Sequence, residues 1–276
     1  MNCKNCKMLV IDLDGTAIDS NYIISSNMIN LIKELRENNV YVLIATGRSV
    51  SDSYRYYKLL DLDTELVTYN GGFVWNPKDD SEVIYREIND GRKILTELYD
   101  AFPIENIVIS SCKNTYYLNN KNSFLVNMMF DDLLPSKILS FEKLLDVSIM
   151  HRIILSVSNS YLNQILQYIK DKKYNVSIFP WKHRDDIIDI SIANIGKWEA
   201  VKQIADKLGI PYKNIISIGD NVNDLELLKH SGIGIAMNNS TDEIKSIANF
   251  VTEFDNNEDG AFEFLKNNKT MFFDHK

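Results

Sequence analysis

Acidic residues gather at two places where an apolar run gives out. Asp12 and Asp14 follow the run Lys7–Ile11 in the string Asp12-Leu13-Asp14-Gly15-Thr16, and Asp220, Asn223 and Asp224 follow the run Ile215–Ile218. With a side-chain period of two along an extended chain, Asp12 and Asp14 can face the same space. Two carboxylates so placed repel each other, which raises one pKa unless a cation lies between them. That chemistry is a magnesium site or a nucleophile beside a general acid. On this motif alone an ordinary turn is an equal alternative, because Asp and Gly are favoured in turns. The second cluster adds hard oxygen donors of the kind magnesium takes in an octahedron that usually keeps waters and substrate phosphate. Asp12, the backbone carbonyl of Asp14 and Asp220 can supply the protein's share. Thr46 offers a hydroxyl and Gly47 an uncluttered backbone N–H, both suited to phosphate oxygens. Lys197 opens a helix, where the helix dipole disfavours a cation, and a bound anion explains it better than a structural role does.

These groups must be positioned by the elements around them. Lys7–Ile11 reads as a buried strand running into a polar loop. Ser25 or Ser26 caps a helix that carries Met28, Leu31, Ile32 and Leu35 at helical spacing. Val40–Ala45 is a second buried strand, ending at Thr46-Gly47-Arg48. Strand, helix, strand in this order predicts a parallel sheet, with ligands beyond the carboxyl ends of its strands. Farther along, Trp198–Leu208 is helical and stopped by Gly209 and Pro211. Ile215–Ile218 is a strand, a helix begins near Asp224, and Gly232–Ala236, Thr241–Ala248 and Phe250–Thr252 read as strand, helix and strand. Between about Tyr85 and Asp186 the pattern changes: strands at Ile107–Ser110, Thr115–Leu118, Ile153–Ser158 and Asn175–Phe179, helices near Arg92–Ala101 and Tyr161–Lys170. The expected fold is α/β, a Rossmann-like parallel-sheet core in two parts, 1–84 and 187–276, interrupted by an inserted α+β cap domain at 85–186.

Composition narrows the function. A chain of 276 residues suits two domains, and 45% apolar with 25% charged residues suits a globular core. A formal net charge of -8 disfavours nucleic acid and anionic membrane as partners. No apolar run approaches the ~20 residues of a membrane span, and Met8–Ile11 is too short for the apolar segment of a signal peptide. The expectation is a cytoplasmic protein with no nucleic-acid or membrane partner and no obligate protein partner evident. The three cysteines, Cys3, Cys6 and Cys112, are an odd number, which argues against a secreted disulfide framework. Cys3-Lys4-Asn5-Cys6 has the spacing of half a zinc site without the other half, and a frayed N-terminal tail is the better reading.

In order along the chain, Asp12-Leu13-Asp14-Gly15-Thr16, Ala45-Thr46-Gly47-Arg48, Lys197 and Gly219-Asp220-Asn221-Val222-Asn223-Asp224 resemble the motifs of the haloacid dehalogenase (HAD) superfamily. Specifically, they resemble its sugar-phosphatase-like Cof-type branch, subfamily IIB, with an inserted α+β cap. The resemblance covers nearly the whole chain and takes in Asn70-Gly71-Gly72 and Ala236-Met237-Asn238-Asn239. It implies a magnesium-dependent phosphatase acting on a small phosphorylated metabolite, a sugar phosphate or similar, through an aspartyl phosphate. By that resemblance Asp12 is the nucleophile, and Asp14 the acid that protonates the leaving oxygen and then activates water. Thr46, Lys197 and Asn223 hold the phosphoryl group, with backbone donors at Leu13 and Gly47. Mg2+ sits on Asp12, Asp14 and Asp220, while Asp224 orients Lys197 or a metal-bound water.

Two residues depart from the family's habit: Trp198 stands where glycine is usual, and Asn221 where a small residue is commoner. Trp198 either narrows the entrance or packs into the core. For the organic part of the substrate, Arg48 and Asn70 either reach it or fix a loop. Trp181-Lys182-His183-Arg184 either closes over an anion, with His183 and Arg184 as contacts, or is a solvated turn. Three other functions stay open: a phosphotransferase or phosphomutase on the same scaffold, a signalling receiver, and a silent phosphate-binding protein. The receiver is disfavoured because the second acidic cluster comes only after an inserted domain.

Overall fold

Apolar runs such as Met-Leu-Val-Ile and Ile-Ile-Ser-Ile lack the polar alternation of a half-exposed strand, and both are buried along their whole length. A computed structural model describes residues 6–119, 134–180, 184 and 186–272 and divides the chain into two units. The first unit is Met1–Gly47, Arg55–Val83 and Ile195–Lys276, and the second is Arg48–Tyr54 and Ile84–Asn194.

The strands are β1 (Met8–Ile11), β2 (Tyr41–Ala45), β3 (Leu66–Thr68), β4 (Phe73–Asn76), β5 (Ser81–Ile84), β6 (Ile104–Ser111), β7 (Asn114–Tyr117), β8 (Ser136–Ile138), β9 (Arg152–Val157), β10 (Val176–Pro180), β11 (Ile187–Ile192), β12 (Ile215–Gly219), β13 (Ile233–Ala236) and β14 (Phe250–Val251). The first unit builds an eight-stranded sheet in the order β14-β13-β12-β1-β2-β3-β4-β5. At its centre β1 runs parallel to both β12 and β2, with Ile11 beside Ile218 and Ile44. The chain steps outward from β1 through β2 and β3, then later occupies the other side of β1 through β12, β13 and β14. Where the winding direction reverses, an open parallel sheet presents its crevice at the carboxyl ends of the strands.

Helix α1 (Ser26–Glu37) begins as its sequence implies: Ser25 Oγ accepts the Met28 N–H at 3.0 Å, and Met28, Leu31, Ile32 and Leu35 form the buried face. Helix α2 (Val50–Leu59), just after β2, and strands β3, β4 and β5 have no counterpart in the sequence-based expectations.

The second unit is a six-stranded sheet in the order β10-β11-β9-β6-β7-β8, antiparallel except where β7 meets β8. Among the described residues its helices include α3 (Gly91–Ala101), which buries Ile94, Leu95 and Leu98, α4 (Phe141–Leu145), and α5 (Asn159–Lys172), which buries Ile165 and Ile169. The boundary expected after Asp186 is corrected here. Ile187–Ile192 is hydrogen-bonded between β9 and β10 and so belongs to the smaller sheet, and Arg48–Tyr54 also falls in the second unit. An apolar run satisfies its backbone in either sheet, so periodicity alone did not assign it.

Back in the first unit, α6 (Trp198–Leu208) ends at Gly209 with φ 64°. It is followed by α7 (Leu225–His230), α8 (Asp242–Ile247) and α9 (Gly260–Asn267). The expected fraying of the N-terminus does not extend to Cys6, which is buried and whose N–H donates to Met271 O at 2.9 Å; Cys3 lies outside the described residues. Among the described residues no helix is long and apolar enough to cross a membrane.

Candidate active site

Three parallel strands in register deliver three polar residues to one edge. Asp12 is the first residue past β1, and its N–H donates to Ile218 O of β12 at 3.1 Å. Thr46 is the first past β2, fully buried, with its N–H on Val67 O at 2.9 Å. Asp220 is the first past β12. The loop after β1 then folds back on itself, Thr16 N–H donating to Leu13 O at 3.2 Å and Ala17 N–H to Asp12 O at 3.3 Å. Leu13 is buried and Asp14 exposed. Gly15 takes φ +68°, and a Cβ there would lie 2.3 Å from Asp220 Oδ2. Only glycine lets the Asp220 carboxylate approach this loop.

Lys197 sits immediately before α6 and is fully buried, with Nζ 2.7 Å from Asp12 Oδ1 and 2.7 Å from Asp224 Oδ1. The other oxygen of Asp224 accepts the N–H groups of Asp220 and Asn221 at 3.1 and 3.2 Å. Asn221 accepts the Val222 N–H at 2.8 Å, so Asn221 and Asp224 form a capping box at the short turn that carries Asn223. That is the use of the unusual Asn221, and the Asn-x-x-Asp spacing was a legible signal for it. Trp198 packs edge-on to Tyr212 and stacks on His230, with ring centroids 5.1 and 5.4 Å away, which settles it as a core residue.

Charge at this edge is unbalanced. Asp12, Asp220 and Asp224 stand near the ammonium of Lys197, and Asp14 stands near Asp220. Burial opposes the charge on Lys197, but Asp12 and Asp224 outweigh it and keep the ammonium protonated. Burial raises the Asp12 carboxyl well above the usual range; Lys197 pulls it back, and Asp224 and Asp220 push it further up. Asp220 is pushed up to about 6, first by burial and then by Asp224 and Asp14, against the pull of Lys197. Carboxylates crowded in this way favour a bound cation. Ligand oxygens of Asp12, Asp220 and Asp224 lie within 4.8 Å of one another. Asp224 is already engaged by three donors, so Asp12 and Asp220 are the better hard-oxygen ligands.

The residues expected to contact the organic part of the substrate have these partners. Asn70 meets the Asn223 side-chain amide at 2.7 Å. Arg48, in the second unit, reaches Asp52 O at 3.4 Å, and Arg184, also there, pairs with Asp186 at 2.5 and 2.7 Å. His183 lies outside the described residues.

A parallel sheet that presents an Asp–Lys–Asp cluster at its carboxyl edge has its candidate site where α/β enzymes carry theirs, and comparison with known proteins gives the class. The family described as haloacid dehalogenase-like hydrolase matches residues 9–265, and the chain belongs to it as a Cof-type phosphatase. The 5-amino-6-(5-phospho-D-ribitylamino)uracil phosphatase YitU of Bacillus subtilis is 31% identical over 274 residues, covering 94% of this chain and 96% of the relative. A second phosphatase of that description from the same organism, YcsE, is 25% identical over 266 residues, covering 94% of each. A solved haloacid dehalogenase-like hydrolase from Bacteroides thetaiotaomicron shares the fold, with TM-score 0.80 and 20% identity over 95% of this chain and 98% of that one. The signalling-receiver alternative falls with this membership.

Proposed function

We propose that the protein is a magnesium-dependent phosphatase that hydrolyses a small phosphorylated metabolite through an aspartyl phosphate on Asp12. The observation that carries this reading is the buried Asp12 carboxylate 2.7 Å from a fully buried Lys197, with Asp220 beside it at the carboxyl edge of the sheet.

In this reading an Asp12 carboxylate oxygen attacks phosphorus and the bond from phosphorus to the leaving oxygen breaks, while Asp14 gives that oxygen a proton. Water then attacks the aspartyl phosphate, Asp14 takes its proton, and inorganic phosphate leaves with Asp12 restored. The Thr46 hydroxyl, the Lys197 ammonium, the Asn223 amide and the N–H groups of Leu13 and Gly47 hold the phosphoryl oxygens as their charge grows. Asp224 keeps Lys197 in place. Asp12, the Asp14 carbonyl and Asp220 would hold Mg2+, which when bound supplies positive charge against the carboxylates and the phosphoryl oxygens.

The names of the relatives suggest where to look for the substrate: a phosphorylated ribitylamino-uracil for two of them and a sugar phosphate for a solved subclass IIB enzyme. A phosphorylated sugar or polyol chain is therefore the proposed class, with Arg48, His183 and Arg184 as candidate contacts to its organic part and the cytoplasm as its place. The test is phosphate release from phosphorylated sugars, nucleotides and 5-amino-6-(5-phospho-D-ribitylamino)uracil, with magnesium or chelator, by wild type and Asp12→Asn. Magnesium-dependent release that the variant loses supports the proposal. Release that ignores both magnesium and Asp12 overturns it, and turnover only with an added acceptor makes the protein a phosphotransferase.

A further inference from the structure

Tyr69, Asn70 and Gly71 take positive φ in succession, 50°, 57° and 94°. Non-glycine residues hold that conformation only where their surroundings impose it, and such places cluster at functional sites. Here several neighbours of the turn belong to the candidate site. The Asn70 N–H donates to Thr46 O at 2.9 Å. A Cβ on Gly47 would lie 2.9 Å from Asn70 Oδ1, so the phosphate-loop glycine is bare on the side that faces this amide. A Cβ on Gly71 would lie 3.0 Å from Gly196 O and 3.5 Å from Lys197 Cα, so the same turn backs the entry to Lys197. Finally, Asn70 Oδ1 accepts from Asn223 Nδ2 at 2.7 Å. The segments carrying Thr46, Gly47, Lys197 and Asn223 thus all touch one turn.

In that arrangement Asn223 Oδ1 is buried with no hydrogen-bond partner, an expensive state for an amide oxygen. The two ends of an amide have the same shape, so the pair can bond in the reverse sense without steric cost. Reversed, Asn70 Nδ2 donates to Asn223 Oδ1 and satisfies it. The Asn223 Nδ2 group then becomes a buried donor in need of an acceptor, and a phosphoryl oxygen is one.

We infer that Asn70 is a positioning residue: in the substrate-loaded enzyme it donates to Asn223 Oδ1 and so turns Asn223 Nδ2 toward the phosphoryl group. The inference rests on the reading of Asn223 as a phosphoryl ligand.

Asn70→Asp separates donating from accepting, since Asp matches Asn in shape, tolerates left-handed backbone and keeps the acceptor but has no proton to give. Asn70→Gly keeps the backbone conformation and deletes the amide. Each would be measured with magnesium and 4-nitrophenyl phosphate for kcat and KM, and by thermal melting, alone and combined with Asn223→Ala. The expected result is a fall in kcat/KM of about 10²-fold for Asn70→Asp, the size of losing one oriented donor. Asn70→Gly should lose less, about 10-fold, because Asn223 can then turn either way. Combined with Asn223→Ala, neither substitution should cost more than about twofold beyond Asn223→Ala itself, because a residue acting through its neighbour has nothing left to act through.

Wild-type kcat/KM in Asn70→Asp overturns the inference, as does an undiminished loss in the Asn223→Ala background, which would mean direct repulsion of the substrate. If Asn70→Asp melts early, the Asn70→Gly pair of measurements decides the matter by the same criterion. Wild-type activity in Asn223→Ala alone sinks the underlying reading of Asn223 instead, a result distinct from a harmless Asn70→Asp beside a damaging Asn223→Ala.

Discussion

Each unit holds a cation between two carboxylates, fully buried for Lys197 and partly buried for Arg152, and the two clusters differ in how completely those carboxylates are used. In the six-stranded sheet, Arg152 of β9 donates to both oxygens of Asp189 on β11, at 2.5 to 3.1 Å, and to Asp52 Oδ2 at 3.2 Å. A planar guanidinium matches carboxylates with several parallel bonds, and such a cluster is closed. At the edge of the parallel sheet, Lys197 is a point charge shared by Asp12 and Asp224, and Asp220 adds a further carboxylate whose pKa is driven up to about 6, mainly by burial. A cation between two carboxylates makes a saturated tie in one unit and leaves a surplus of negative charge in the other. What distinguishes them is the forked guanidinium against the point charge, and the further carboxylate of Asp220.

The sharpest break should come at Asp12. Asp12→Asn is expected to lower kcat by ~10³ or more, as removal of a nucleophile does, with the melting temperature unchanged or higher because a neutral amide relieves the crowded carboxylates. A variant that kept a tenth of wild-type turnover would remove Asp12 from its role.

Lys197→Ala should cost ~10² in rate and also about 3–5 kcal/mol of stability, because it leaves Asp12 and Asp224 buried without their ammonium. Urea unfolding with and without magnesium measures the second effect, and added magnesium should restore part of it. An unshifted midpoint would show that the surplus charge is only apparent.

For Arg152→Met the expectation is reversed: about 3 kcal/mol of destabilisation from two unpaired carboxylates, with turnover per folded molecule close to wild type. Equal damage to both quantities would erase the contrast between the clusters.

An effect seen only at low pH concerns His151, fully buried, its Nδ1 accepting the Cys112 N–H at 3.2 Å. Burial lowers its pKa from 6.5 to about 4. The unfolded chain binds a proton here below pH 6.5 while the folded chain does not until about pH 4, so stability is full above that window and falls as pH drops through it. The loss approaches about 3 kcal/mol, and the His151 share of the slope of unfolding free energy across this range should disappear in His151→Gln. An unchanged slope would assign the acid sensitivity to other groups.

Much of this contrast could be read in the linear chain, and the unread part has a physical pattern. The strands β1, β2 and β12 end where their apolar runs give way to the polar residues Asp12, Thr46 and Asp220, a change of pattern visible in the linear chain. Ser25 and the Met28–Leu35 stripe marked α1 for the same local reason. By contrast β11 was not among the expected strands, and its apolar run suits either sheet, while the charged run at Arg184 holds a local pair with Asp186.

The sequence by itself determined which groups are present and on which edge of the parallel sheet they fall, since both follow from local hydrophobicity and the direction of successive strands. Tertiary structure alone decided that Asp224 spends its oxygens on Lys197 and two backbone N–H groups, that Trp198 turns into the core, that Gly15 makes room for Asp220, and that Asn70 reaches Asn223. Such contacts depend on strand register, backbone conformation and burial among segments far apart in the chain, and no local pattern of residues carries that information.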